Sequence, residues 1–449
     1  MSSLVMKNIV HRQIIASFIA LIFLSIPSIL AQDIKPELPK IPEAVFDVQN
    51  FGVKADGETD DSAAIQQAID KAAEQGGGTV RFSKGIILSG PIKMKNNIRL
   101  QIDKGVTLTM LPLARYPGGT KNPKDFIEGS NLHDIAITGE GTIEGQGSDW
   151  WKTFRETRNS KSKSSAFKEV ARPKMIKIDD CTRFLIEGVT LQNSPMFHIS
   201  VRGQELTASK ITVRAPSSKD PVNPSHNTDA CNLSGKNILV ENCDISVGDD
   251  NYTCKKETSN VLIRNNKYGN GHGVSIGSDI QGGVSNIIVR DCTFNGTDCG
   301  IRLKSNRGRG GVVKGMTYEN LQMNNVGIPI LIYATYQDKD KKFRNLDSLQ
   351  PDVAATYPSA PITDLTPVYE DVTFRNINAT TTKDGRAGLV WGLPEAPVGK
   401  VTMENVTIQS NSPFGFYFVK QATLKNVKVT TPAGENKFLE TNSNITFIK

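Results

Sequence analysis

NILVENCDISVGDD (Asn237–Asp250), NVLIRNNKYGNGHG (Asn260–Gly273) and NIIVRDCTFNGTDCGIRLK (Asn286–Lys304) are three copies of one pattern. Each opens on Asn and continues in short period-2 runs of Val and Ile broken by Asn and Gly. The steps between opening residues are 260 − 237 = 23 and 286 − 260 = 26. Further copies begin at Phe184, Met316, Val372 and Val401. A period near 25 residues with strand signals and no helix signal predicts a β-solenoid, each copy forming one coil. An ordinary sandwich also has many short strands, but it does not repeat one column pattern in consecutive copies.

Working outward, Asp61–Glu74 carries Ala64, Ile65, Ala68, Ile69 and Ala72 on one helical face. Asp60 or Thr59 is its expected cap, and Gly76-Gly77-Gly78 its end. Such a helix suits the open N-terminal end of a solenoid, where the core would otherwise meet water. Two segments exceed a coil, 216–225 and 337–366, and are expected to loop out.

The bulk composition agrees. The chain has 449 residues, 38% hydrophobic and 22% charged, so it is globular rather than disordered. Residues 1–31 read as a secretory signal: Lys7 and Arg12, then an apolar run from Ile14 to Leu30 broken by Pro27, with cleavage after Ala31. The competing reading is an uncleaved membrane anchor, for which the run is short. Residues 32–449 then form one domain, secreted or periplasmic. Its net charge is +7 − 2 = +5, which suits a polyanion, nucleic acid as readily as polysaccharide. Cys231 and Cys254 both precede an opening Asn by six residues and are expected to stack as buried thiols, because adjacent in-register strands strain a disulfide.

The repeat also places the polar groups. Asp249 and His272 each lie 12 residues after their opening Asn, hence in one column of adjacent coils. Asp229 lies one coil earlier. Arg302 and Lys304 share a strand face. Gly248 permits a bulge that turns both Asp249 and Asp250 toward a cleft, avoiding a buried unpaired carboxylate. Singly, each motif is more often a solvated turn or surface face. Together they form a patch about 15 Å tall at strand spacing, able to bind an anionic polymer and to move protons. No metal is expected, since one His among carboxylates matches no strong ligand spacing.

With these residues in hand, the chain resembles the polygalacturonases of glycoside hydrolase family 28. Asn227-Thr228-Asp229, Gly248-Asp249-Asp250, Gly271-His272-Gly273 and Arg302-Leu303-Lys304 stand in the family's order. Phe46–Asp70, Gly141–Trp151 and Arg172–His198 resemble family blocks. The resemblance implies an all-β, right-handed parallel β-helix of about ten coils with a short N-terminal capping helix. It implies inverting hydrolysis of pectin or polygalacturonate with no cofactor and no nucleic-acid partner. Asp249 would be the general acid, Asp229 and Asp250 would activate water, and His272 would tune the acid. Asn227, Arg302, Lys304 and Tyr336 (Tyr333 second) would bind substrate.

Carboxylates this close would by separation alone suggest retention, but three clustered aspartates need not obey that rule. The chain departs from the family at Ala230, at Asn251-Tyr252 and at Leu303, which puts the exact sugar in question. Rhamnogalacturonan and xylogalacturonan hydrolases are the nearest alternatives. A pectate lyase would want a Ca²⁺ cluster, and an adhesin would have no use for the polar column.

Overall fold

The computed structural model describes residues 34–159, 170–344, 346 and 350–448. The expected signal segment lies outside them. Among the described residues thirty strands join in one continuous hydrogen-bonded sheet. Every pairing is parallel except the short antiparallel contact of Thr430 and Thr431 with Glu435 and Gly434. Parallel strands of successive coils stack in register, so a single inward position can be followed along the axis: Val80, Leu100, Ile137, Ile186, Ala208, Val240, Ile263, Val289, Tyr318, Phe374, Met403 and Leu424. All twelve are buried, somewhat more levels than the ten or so coils that the resemblance implied. The chain is a right-handed parallel β-helix, the hand that parallel crossovers take.

The opening asparagines explain the repeat. Asn237, Asn260 and Asn286 have φ of 58°, 57° and 53°. Asn tolerates this left-handed region better than most residues. Asn260 Nδ2 donates to Asn237 Oδ1 at 3.0 Å, and Asn286 Nδ2 to Asn260 Oδ1 at 2.8 Å. The column is a side-chain ladder that turns each coil by the same angle.

The end helix, α1, spans Ser62–Glu74 with Ile65, Ala68, Ile69 and Ala72 buried. The N-cap position is Asp61, without a side-chain cap bond, so neither Asp60 nor Thr59 caps the helix; Asp60 accepts from the Ser62 N–H at 3.0 Å in a local turn. The Asp61 carboxylate instead receives the N–H groups of Lys54 and Ala55 at 2.8 and 3.0 Å.

The expected Cys231–Cys254 stack does not form. Cys231 pairs with Tyr252, and Cys254 with Ile276. The strand from Cys231 runs unbroken to Glu241, whereas a turn separates Cys254 from the strand beginning at Thr258. Counting from the Asn therefore misplaces the earlier strand by a few residues. All six cysteines are free and buried.

Candidate active site

Four successive strands carry the polar patch: β1 (Cys231–Glu241), β2 (Tyr252–Cys254), β3 (Val274–Gly277) and β4 (Cys299–Lys304). Ser275 pairs with Arg302 and Gly277 with Lys304. Ile301 and Leu303 point into the core, so alternation turns Arg302 and Lys304 outward together.

Asp249 and Asp250 sit in the bend before β2, held open from the other side. The carbonyl of Ser225 packs where a Cβ at Gly248 would stand, which is why the first residue of that triplet is glycine. Thr228 Oγ1 accepts from the Gly248 N–H at 2.9 Å. Its neighbour Asp229 is fixed through its backbone, whose carbonyl receives the N–H of His198 at 2.8 Å. His198 is fully buried, and burial pushes its imidazole down to about 4, against the carbonyls that accept from it. It stays neutral and serves as a brace.

The structure brings the sequence-derived residues together. The His272 N–H donates to the Asp249 carbonyl at 2.9 Å, and Nδ1 lies 3.0 Å from Asp249 Oδ1. Asn227 Nδ2 donates to Asp249 Oδ2 at 3.4 Å, while Arg172 holds the Asn227 amide oxygen at 2.9 Å. Asp250 is enclosed by Arg302 Nη2, Lys304 Nζ at 3.0 Å and Ser275 Oγ at 2.7 Å. Lys304 Nζ stands 5.1 Å above the ring of Tyr336. Tyr333 is buried at 4% exposure, so Tyr336 is the tyrosine presented to the cleft.

The three carboxyls are not equivalent. Burial, then the charges of Asp249 and Asp250, push Asp229 well above the usual carboxylate range. Burial also opposes ionisation of Asp250, but Arg302, Lys304, His272 and Ser275 outweigh it and hold the group far below that range. Asp249 feels burial and the Asp250 charge, yet the His272 hydrogen bond leads the opposing effects and leaves it lowered. Of the three, Asp229 is the carboxyl whose surroundings most oppose ionisation.

Sequence reasoning missed Asp298. Its carboxylate lies 3.4 Å from His272 Nε2 and is paired with Lys219 of the 216–225 loop. Burial raises Asp298, but these partners hold it at about 2. Burial and the Arg302 guanidinium oppose a charge on His272; its contacts with Asp249 and Asp298 outweigh them and raise it. A protonated His272 would donate from both nitrogens; Arg302 Nη2 also lies 3.1 Å from Nδ1. Only the spacing of four residues before Arg302 hinted at Asp298.

Asp249, Asp250 and His272 offer ligand atoms within 4.8 Å of one another. Arg302 and Lys304 already compensate Asp250, so a divalent ion there would meet two cations at contact range.

An acid–base carboxylate cluster beside fixed cations, on the outer face of a parallel β-helix, defines a polysaccharide-processing enzyme. Residues 78–433 match the model for glycosyl hydrolases family 28, and residues 45–110 that for rhamnogalacturonase A/epimerase, pectate lyase-like proteins. An endo-polygalacturonase of Pectobacterium carotovorum subsp. carotovorum is 33% identical over 402 residues, 83% of this chain and 89% of that protein. An exopolygalacturonase of Zea mays is 30% identical over 381 residues, 82% and 84% of the two chains. The solved polygalacturonase from Erwinia carotovora ssp. carotovora superposes with TM-score 0.64 at 27% identity, covering 91% of this chain and 98% of its own. The exopolygalacturonase from Thermotoga maritima shares the fold at TM-score 0.70 and 22% identity, covering 91% and 94%. The chain belongs to glycosyl hydrolases family 28 and is a glycosidase.

Proposed function

We propose that this glycosidase cleaves α-1,4-galacturonosyl linkages of pectin or polygalacturonate with net inversion. The observation that carries the reading is the pairing of an unequal carboxylate trio with outward Arg302 and Lys304 in one cleft. Arg302 and Lys304 bind the galacturonate carboxylate, the guanidinium offering a planar fork. Tyr336 packs beneath the Lys304 ammonium and shapes the sugar's seat. Asn227 orients Asp249.

In the reaction the C1–O bond breaks. Asp249 gives its proton to the leaving oxygen. A water oxygen bonds to C1, and its proton passes to Asp229 or Asp250. Asp249 must therefore be protonated when substrate is bound. Two changes on binding favour this: the sugar excludes water from Asp249, and its carboxylate adds negative charge nearby. The trio titrates as a set, so a proton favoured by the surroundings of Asp229 is available to the cluster.

A second assignment has an observation in its favour. The raised Asp229 could itself be the donor, with Asp249 as base. We further propose that residues 1–31 direct export and are removed, and that 32–449 acts as one monomeric catalytic domain outside the cytoplasm on cell-wall polysaccharide. Among the described residues no helix is long and apolar enough to cross a membrane.

The test is incubation with polygalacturonate, rhamnogalacturonan and xylogalacturonan. New reducing ends from polygalacturonate, without the ultraviolet absorbance of an unsaturated product, are expected. Absorbance growth would mean elimination, and release only from a branched substrate would reassign the sugar. NMR of the first-formed anomer checks inversion.

A further inference from the structure

The outward face of the sheet changes character along the helix axis. One outward column reads Ser200, Asn232, Thr253, Ser275 and Arg302, then Leu331 and Leu389. A second reads Lys304, Tyr333, Trp391 and Tyr417. The strands beyond the site are β5 (Ile328–Tyr333), β6 (Gly388–Trp391), β7 (Phe414–Thr431) and β8 (Phe438–Ile448). Their outward residues Leu331, Leu389, Trp391 and Tyr417 are at most 1% exposed. Alternation points them away from the core, so something else covers them.

The cover comes from the described parts of the 337–366 excursion, 337–344 and 350–366. Phe343 and Tyr357 set their rings 6.4 and 5.7 Å from Trp391 and 4.7 Å from each other. The short helix Pro351–Ala355 packs against β7 and β8, and Thr441 Oγ1 donates to the Pro351 carbonyl at 3.0 Å. The excursion is tied down by Arg307, which donates to both oxygens of Glu395 at 2.7 and 2.9 Å, to Tyr357 Oη at 3.2 Å and to the Pro358 carbonyl at 2.8 Å.

Only one strand spacing, about 4.8 Å, separates Lys304 from buried Tyr333, room for about one sugar. On the opposite side the column stays polar. Asn232 is 7% exposed with neither amide atom hydrogen-bonded. Lys255 and Lys174 stand 5.3 and 5.9 Å from the Phe197 ring. The two ammonium groups suit an anionic chain, while the Asn232 amide lies beneath the surface.

We propose that Phe343, Tyr357 and the helix Pro351–Ala355 close the groove one strand beyond Arg302 and Lys304, and that the enzyme attacks galacturonan from a chain end, releasing mono- or disaccharide. The polymer leaves across Asn232 toward Lys255. This rests on the galacturonan reading above.

The experiment follows native full-length enzyme on polygalacturonate by product chromatography and viscometry from the earliest time points. Mono- or disaccharide alone, with viscosity falling slowly relative to new reducing ends, is expected. An early ladder of longer oligomers overturns the closed groove while leaving the substrate reading intact. Absence of hydrolysis on any galacturonan overturns both. The double variant Phe343→Ser, Tyr357→Ser strips the plug of its rings and is expected to release oligomers longer than a disaccharide. A folded variant, checked by its melting curve, that still yields only mono- or disaccharide overturns the role of the plug. If the variant fails to fold, the native product profile decides.

Discussion

His272 Nε2 lies 3.4 Å from the carboxylate of Asp298, a residue one coil beyond it. With Asp249 3.0 Å from Nδ1, the imidazole is held between two carboxylates. Lys219 extends the chain of charges into the 216–225 loop. The protonation state of His272 thus depends on groups from three separate stretches of sequence.

Replacing Asp298 by Asn removes one of the two contacts that keep His272 raised. The His272 pKa should fall toward its ordinary value. Where protonated His272 supports the reaction, the alkaline limb of kcat/KM moves to lower pH, and an NMR titration of the imidazole moves with it. An unchanged limb and an unchanged titration would show that Asp298 only pairs Lys219.

Asp249→Asn should cut reducing-sugar release by roughly 10²–10⁴-fold or more with the fold retained, checked by melting curve and activity. An aryl galacturonide with a good leaving group needs little acid assistance. On that substrate Asp249→Asn should recover much of its loss and Asp229→Asn should not. The reverse pattern would exchange the two roles.

Asp229→Asn should also stabilise the protein while it removes activity. Asp229 has a folded pKa above its unfolded value. Below about pH 3.9 both states are protonated and the group is neutral to stability. As pH rises toward and through the folded pKa, the unfolded state loses its proton first and stability falls. The amide avoids that loss, so a gain on the order of 1 kcal/mol is expected near neutrality and none at low pH. Denaturant melts at several pH values read it directly.

Asp250 behaves oppositely, because its folded pKa is lowered. Its contribution is present above the unfolded value and is lost as pH falls below it. Asp250→Asn leaves buried Arg302 and Lys304 without their anion and should cost about 3–5 kcal/mol. A melting temperature equal to the parent's would contradict the buried ion triad.

Gly248→Ala places a methyl group against the Ser225 carbonyl. That carbonyl belongs to a rigid backbone, so the Asp249–Asp250 bend must shift. Activity should fall by at least about tenfold, since small misplacements of reacting groups are costly, while the core of the solenoid survives. Parent-like kcat would mean that the loop yields freely.

The β-helix was legible because the repeat is local and redundant. Asn237, Asn260 and Asn286 mark three consecutive turns with one residue type, since few side chains accept that backbone angle and ladder with themselves. The column shared by Asp249 and His272 followed from the same count. The Cys231–Cys254 register failed because a turn after Cys254 changes the count within a coil. Asp298 escaped because a lone aspartate has no signature until a partner nitrogen stands before it.

Sequence alone determined the coil, most members of the polar patch and the alternation that turns Arg302 and Lys304 to one face. These depend on period and chemistry, which neighbours along the chain carry. The tertiary structure decided which carboxyl is most opposed to ionisation, which tyrosine lies against Lys304 and which outward side chains are covered. Those outcomes depend on burial and on distances between groups up to about a hundred positions apart, such as Pro351 and Thr441, and no local pattern encodes such distances.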